Sequence, residues 1–113
     1  MSKDFTALKS RYLSDPPEVQ IGGLASNLSR LGWFMRRTTS IEKLQPIIRE
    51  SKYFTEWAAD NASPDVQGVL AEIQLELAIL ERKMTRGESP LGYIEHADSW
   101  TAKLLRLTRL QDD

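Results

Sequence analysis

Apolar residues recur along most of this chain at alternating steps of three and four, the spacing that lines one side of an α-helix. Nowhere is the period-two alternation of a half-buried strand sustained. Ile21, Leu24, Leu28, Leu31 and Met35 form the first long seam. Ser14 and Asp15 precede Pro16 and Pro17 just before it, so the pattern predicts a helix over about residues 17–37. A second seam, Ile41, Leu44, Ile48, Phe54 and Ala58, opens at Thr39 and Glu42, which have the spacing of a capping box. Pro46 lacks a backbone donor and crowds the preceding turn, so a kink or a restarted helix is expected there. The third seam is Val66, Leu70, Ile73, Leu77, Leu80 and Met84. Ser63 and Pro64 open it, and Arg82, Lys83, Arg86 and Gly87 close it, residue types that suit the two ends of a helix and its dipole. A fourth opens at Ser89 and Pro90 and runs through Ile94, Ala97, Trp100, Leu104 and Leu107.

Long helices on short connections favour antiparallel neighbours, so the expected fold is all-α, an up-down-up-down antiparallel four-helix bundle forming one domain over residues 1–113. Phe5, Leu8 and Tyr12 place a stripe on an additional short N-terminal helix within residues 1–15, which is marginal alone and needs a surface to lie on. The segment VLAEIQLELAIL carries Leu75 and Ile79 away from the third seam, so this helix expects a second cover, either the N-terminal helix or another subunit. Gly22, Ser26 and Ser29 share one side of the first long helix and would let a neighbour approach closely.

Length and composition fit an ordinary globular domain of 113 residues. The chain has no cysteine, which excludes disulfides, thiolate nucleophiles and sulfur-based metal sites and makes the cytoplasm the expected location. No apolar run approaches the ~20 residues of a membrane span, and MSKDFTALKSRYLSD lacks the apolar core of a signal peptide. A net charge of −1 argues against nucleic acid as a partner of the whole molecule.

Candidate chemistry is sparse. The single histidine, His96, follows Glu95 and has no glutamate three residues earlier, so the carboxylate–histidine pattern of bundle metal centres is missing. Glu72 and Glu76 share a helix face, and their flanking position reads as a solvated face rather than a carboxylate pair. Ser40 and Lys43 have Ser-x-x-Lys spacing without its companion motifs, and Asn27-Leu28-Ser29 is a glycosylation acceptor with no secretory route. The expectation is a protein that is not an enzyme and takes neither cofactor nor metal.

Two surfaces remain. In such a bundle the first and third helices end at the pole where the second and fourth begin, which gathers Arg36, Arg37, Lys43, Arg82, Lys83 and Arg86 beside Thr38, Thr39, Ser40 and Ser89. Arg36, Arg37, Thr39, Ser40, Arg82 and Arg86 are therefore candidates for an anion or phosphate ligand, although the same residues suit helix ends on stability grounds alone. Thr39 behind Arg36-Arg37 also has the look of a kinase substrate. The second surface is apolar: Trp33 and Trp57 fall off their seams and, with Leu75 and Ile79, are candidates for a protein interface, most simply a homodimer. The stretch IIRESKYFTEWAA, residues 47–59, resembles segments of small all-helical cyanobacterial proteins of unknown function, which implies an accessory or regulatory protein and no site residues. The resulting expectation is a self-associating interaction or regulatory module, with an anion or nucleic-acid binder at the arginine-rich pole as the alternative.

Overall fold

A computed structural model of the protein describes residues 5–112, with side chains through residue 107. Among these residues every regular element is helical. Helix α1 is Phe5–Ser14, α2 is Pro17–Met35, α3 is Ile41–Ala59, α4 is Pro64–Thr85, and a single 3-10 turn at Leu91–Tyr93 leads into α5, Ile94–Asp112.

The ends of these helices follow from local chemistry. Helix α2 stops at Met35, short of the predicted Arg37, because the Arg37 and Thr38 amides both donate to the Phe34 carbonyl and turn the chain. The predicted Thr39–Glu42 capping box does not form; Ser40 is the cap residue of α3, and its amide donates to the Thr38 hydroxyl at 3.1 Å. Pro46 lies inside α3 without dividing it. The carbonyl that a residue-46 amide would have met belongs to Glu42, in the exposed first turn, so solvent meets it instead. At the end of α4, Gly87 adopts φ 84°, and the amides of Glu88 and Gly87 reach back to the carbonyls of Lys83 and Met84 at 3.0 and 2.9 Å. Glycine is the residue suited to that left-handed position, and the paired bonds satisfy carbonyls the helix would otherwise leave open.

The predicted seams form the core. Leu24, Leu28, Leu31 and Met35 of α2, Leu44 and Ile48 of α3, Leu70, Leu77 and Leu80 of α4, and Leu104 of α5 are fully enclosed. Helix α2 packs against both α3 and α5, and α3 packs against α4. Cross-helix contacts give the relative directions. Asn27 and Arg30 of α2 meet Ser51 and Glu50 of α3. Gln45 of α3 meets Glu81 of α4, whereas Gln67 of α4 meets the Ala59 carbonyl. Glu76 and Glu72 of α4 meet Trp100 and Lys103 of α5. In each pair the numbering falls on one helix as it rises on the other.

The packing of α1 corrects one expectation and narrows one open alternative. This helix lies against α3, where the Tyr12 ring stacks on Phe54 at 4.3 Å and meets the tilted Trp57 ring at 5.8 Å, and the Tyr12 hydroxyl donates to the Gln20 carbonyl of α2. Burial, with a smaller contribution from the Asp15 charge, pushes the Tyr12 hydroxyl well above the usual phenol range. Trp57, expected at an interface, is therefore a core residue, 5% exposed and ringed by Tyr12, Tyr53 and Phe54. The N-terminal helix does not cover Leu75, which stays 62% exposed.

The small-residue side of α2 is also corrected. A β-carbon at Gly22 would meet nothing within 4 Å, whereas one at Gly32 would lie 3.5 Å from the Ala97 side chain; the close approach to α5 is at Gly32. Gly22→Ala should thus stabilise the protein by about 0.5–1 kcal/mol through helix propensity alone. A raised midpoint in thermal and urea unfolding is the expected result, and a lowered one would mean that the open side of Gly22 is occupied in solution.

Candidate interaction surface

The connections between α2 and α3 and between α4 and α5 do meet at one pole, where Thr39 and Ile41 share a shallow pocket with Met84, Gly87, Glu88 and Ser89. Much of the chemistry there is already used internally. Arg36 donates to Asp98 at 2.6 Å, so its charge ties α2 to the start of α5. Arg37 lies 3.6 Å over the Trp33 ring and donates to the Trp33 carbonyl at 2.8 Å. Lys83 sits 5.5 Å over Tyr93. The Thr38 and Ser89 hydroxyls accept from the Ser40 and Leu91 amides, the role that hydroxyl residues fill at helix starts on stability grounds. Of the candidate anion ligands, Arg36 and Arg37 are engaged, Thr39 lines the pocket, Ser40 is the residue before α3, Arg82 stands exposed on the last turn of α4, and Arg86 stands exposed just beyond it.

His96 finds a different partner from its neighbour Glu95. Its Nδ1 lies 3.2 Å from Glu76 Oε2, the same oxygen that accepts the Trp100 indole N–H at 2.5 Å. The solvated-face reading holds for exposed Glu72, but the Glu76 side chain is 27% exposed and serves as the polar tie between α4 and α5. Among the described residues no group of three or more histidine and carboxylate side chains is arranged to hold a metal ion. No described helix is long and apolar enough to cross a membrane.

A second tie, between α3 and α4, converges on Glu81, which accepts from Lys52 at 3.1 Å and from Gln45 and Arg49 at 3.4 Å. Burial acts to raise the Glu81 carboxyl, but the hydrogen bonds from Lys52 and Gln45 and the charges of Lys52 and Arg49 outweigh it and hold the group below the usual range. This cluster was absent from the sequence reading, although Gln45, Arg49 and Lys52 step by four and three along the flank of the α3 seam, the signal of a common polar stripe.

What remains unsatisfied is apolar. Leu75 and Ile79 stand one turn apart on the outer face of α4, 62% and 39% exposed, with the small exposed residues Gly68 and Ala71 on the preceding turns. Trp33, 49% exposed, is by contrast partly clothed by Arg37 and by Phe34, whose ring meets it edge-on at 4.9 Å. Scattered apolar residues are normal on any surface; here two large ones are adjacent on one helix, with small residues beside them, and form a continuous apolar patch. No protein-family model, curated protein or solved structure matches this chain.

The Glu81 cluster has a pH signature. Because the folded carboxyl titrates lower than in the unfolded chain, its contribution to stability is complete above about pH 4.3, the ordinary glutamate value, and is lost as pH falls through the folded value. Urea unfolding from pH 7 down to pH 2.5 should therefore show a smaller acid loss for Glu81→Gln than for the wild-type protein, together with a lower stability at pH 7. Parallel curves would exclude the cluster as a source of acid sensitivity.

Proposed function

We propose that this protein is a non-enzymatic protein–protein interaction module that associates with itself through the outer face of α4. We read its scaffold as an up-down-up-down antiparallel four-helix bundle, with α1 laid across α2 and α3. One observation carries the reading: the chain has an extra helix available to cover α4, and that helix is committed to α3 by Tyr12, leaving Leu75 and Ile79 bare. Removing such adjacent side chains from water contributes about 25 cal/mol for each Å² buried, a standing drive toward association. The absence of cysteine and a near-neutral charge suit a cytoplasmic accessory or regulatory protein. Arg36 and Arg37 already pair with Asp98 and Trp33, which weakens the arginine-rich pole as an anion site.

Light scattering or sedimentation over a dilution series tests the proposal. The wild-type protein should pass from dimer to monomer on dilution, with the dimer persisting in high salt because its centre is apolar, and Leu75→Glu should be monomeric while keeping its helical circular dichroism. A wild-type protein that stays monomeric at every concentration would refute self-association.

A further inference from the structure

We infer that α4 pairs with α4 of a second copy, antiparallel, about a two-fold axis at the level of Leu77, so that Leu75 opposes Ile79 and Glu72 opposes Arg82. This rests on the self-association reading above and specifies its geometry.

Gly68, Glu72, Leu75, Ile79 and Arg82 of α4, and Arg86 just beyond its last residue, are all exposed and follow one another by steps of four, three, four, three and four. That is the seam of a two-helix coiled coil, facing outward on a helix whose inner seam already serves the core. A two-fold axis maps each residue onto one at the mirrored position along the helix. About residue 77 it pairs 75 with 79, 72 with 82 and 68 with 86. The two large apolar side chains therefore meet at the centre.

Charge selects this direction. The first half of the seam carries Glu72 and the second half Arg82 and Arg86. Parallel pairing would place Arg82 on Arg82 and Glu72 on Glu72, whereas the antiparallel register forms two Glu72–Arg82 pairs flanking the apolar centre. Gly68, which has no side chain, faces the long Arg86. Within its own chain Glu72 makes an exposed pairing with Lys103 at 3.9 Å, which is easily exchanged. Ala71 and Ala78, one turn on either side of Leu75, keep the flanks low and allow the helix axes to approach. A single helix pair buries less than the ~1,200 Å² of a standard interface, so the dimer dissociates on dilution.

The lack of native cysteine makes a direct test simple. Glu72→Cys and Arg82→Cys are made in separate chains, mixed in equal amounts and oxidised mildly, and the disulfide products are resolved by mass; Ser26→Cys, at an exposed position of α2, is the control for random collision. The 72–82 mixed disulfide should dominate. In parallel, Glu72→Arg and Arg82→Glu should each weaken dimerisation at least tenfold, and the double swap E72R/R82E should restore it. Dominant 72–72 product, mixed product no faster than the Ser26→Cys control, or a double swap that stays dissociated would overturn this register. A dimer still sensitive to Leu75→Glu would then leave the interaction module standing with another geometry, whereas a monomeric wild type would remove both.

Discussion

The ring of Tyr12 lies on Phe54 while its hydroxyl donates to the Gln20 carbonyl, and this double anchorage decides which surfaces of the molecule stay bare. A ten-residue helix such as α1 is not stable alone in water and takes its position from the surface that accepts it. Here that surface is aromatic: Phe54 and Trp57 meet Tyr12, and Tyr53 meets Phe5 at 4.7 Å. Burying a phenol demands a partner for its hydroxyl, and the Gln20 carbonyl near the start of α2 supplies it, so α1 is pinned to α2 and α3 together. Helix α4 is left with one covered seam and one open one.

The interior is organised around α2, whose seam is enclosed from Leu24 to Met35 and which packs against both α3 and α5. Polar ties mark the boundaries between helices and fix their register. Asn27 donates to Ser51 across α2 and α3, Glu81 gathers donors from α3 onto α4, and Glu76 receives Trp100 and His96 from α5. Each carboxylate lies at the rim of the core, where attraction between charges is stronger than in open water and desolvation is incomplete. These ties engage Glu76, Glu81 and His96 within the fold, whereas Leu75 and Ile79 on the outer face of α4 stay exposed.

The helices were legible because their signals are local: seams of three and four mark the faces, and Ser63-Pro64 and Gly87 mark the ends of α4 to within a residue. The misreadings have a shared origin in packing between segments. Trp57 looked peripheral because Ile41, Leu44 and Ile48 define one seam of α3, but α3 is covered on two sides, and the second cover, α1, cannot be placed from periodicity alone. Gly22 and Gly32 are equally small in the sequence, and only the approach of α5 distinguishes them. His96 has no partner legible along its own helix, where the adjacent Glu95 points elsewhere; its partner, Glu76, comes from another helix. The placement of Leu75 and Ile79 off the α4 core seam needed no such information, since the apolar positions on two sides of that helix are legible in its own sequence.

Amide and side-chain NMR shifts of the wild-type protein, followed over a hundredfold dilution, report whether the outer face of α4 is covered in solution. Concentration-dependent shifts are expected at Gly68, Glu72, Leu75, Ile79 and Arg82 on that face, with Tyr12, Trp57 and the Trp33 indole unchanged. Spectra independent of concentration, or shifts centred on Trp33, would contradict self-association through that face.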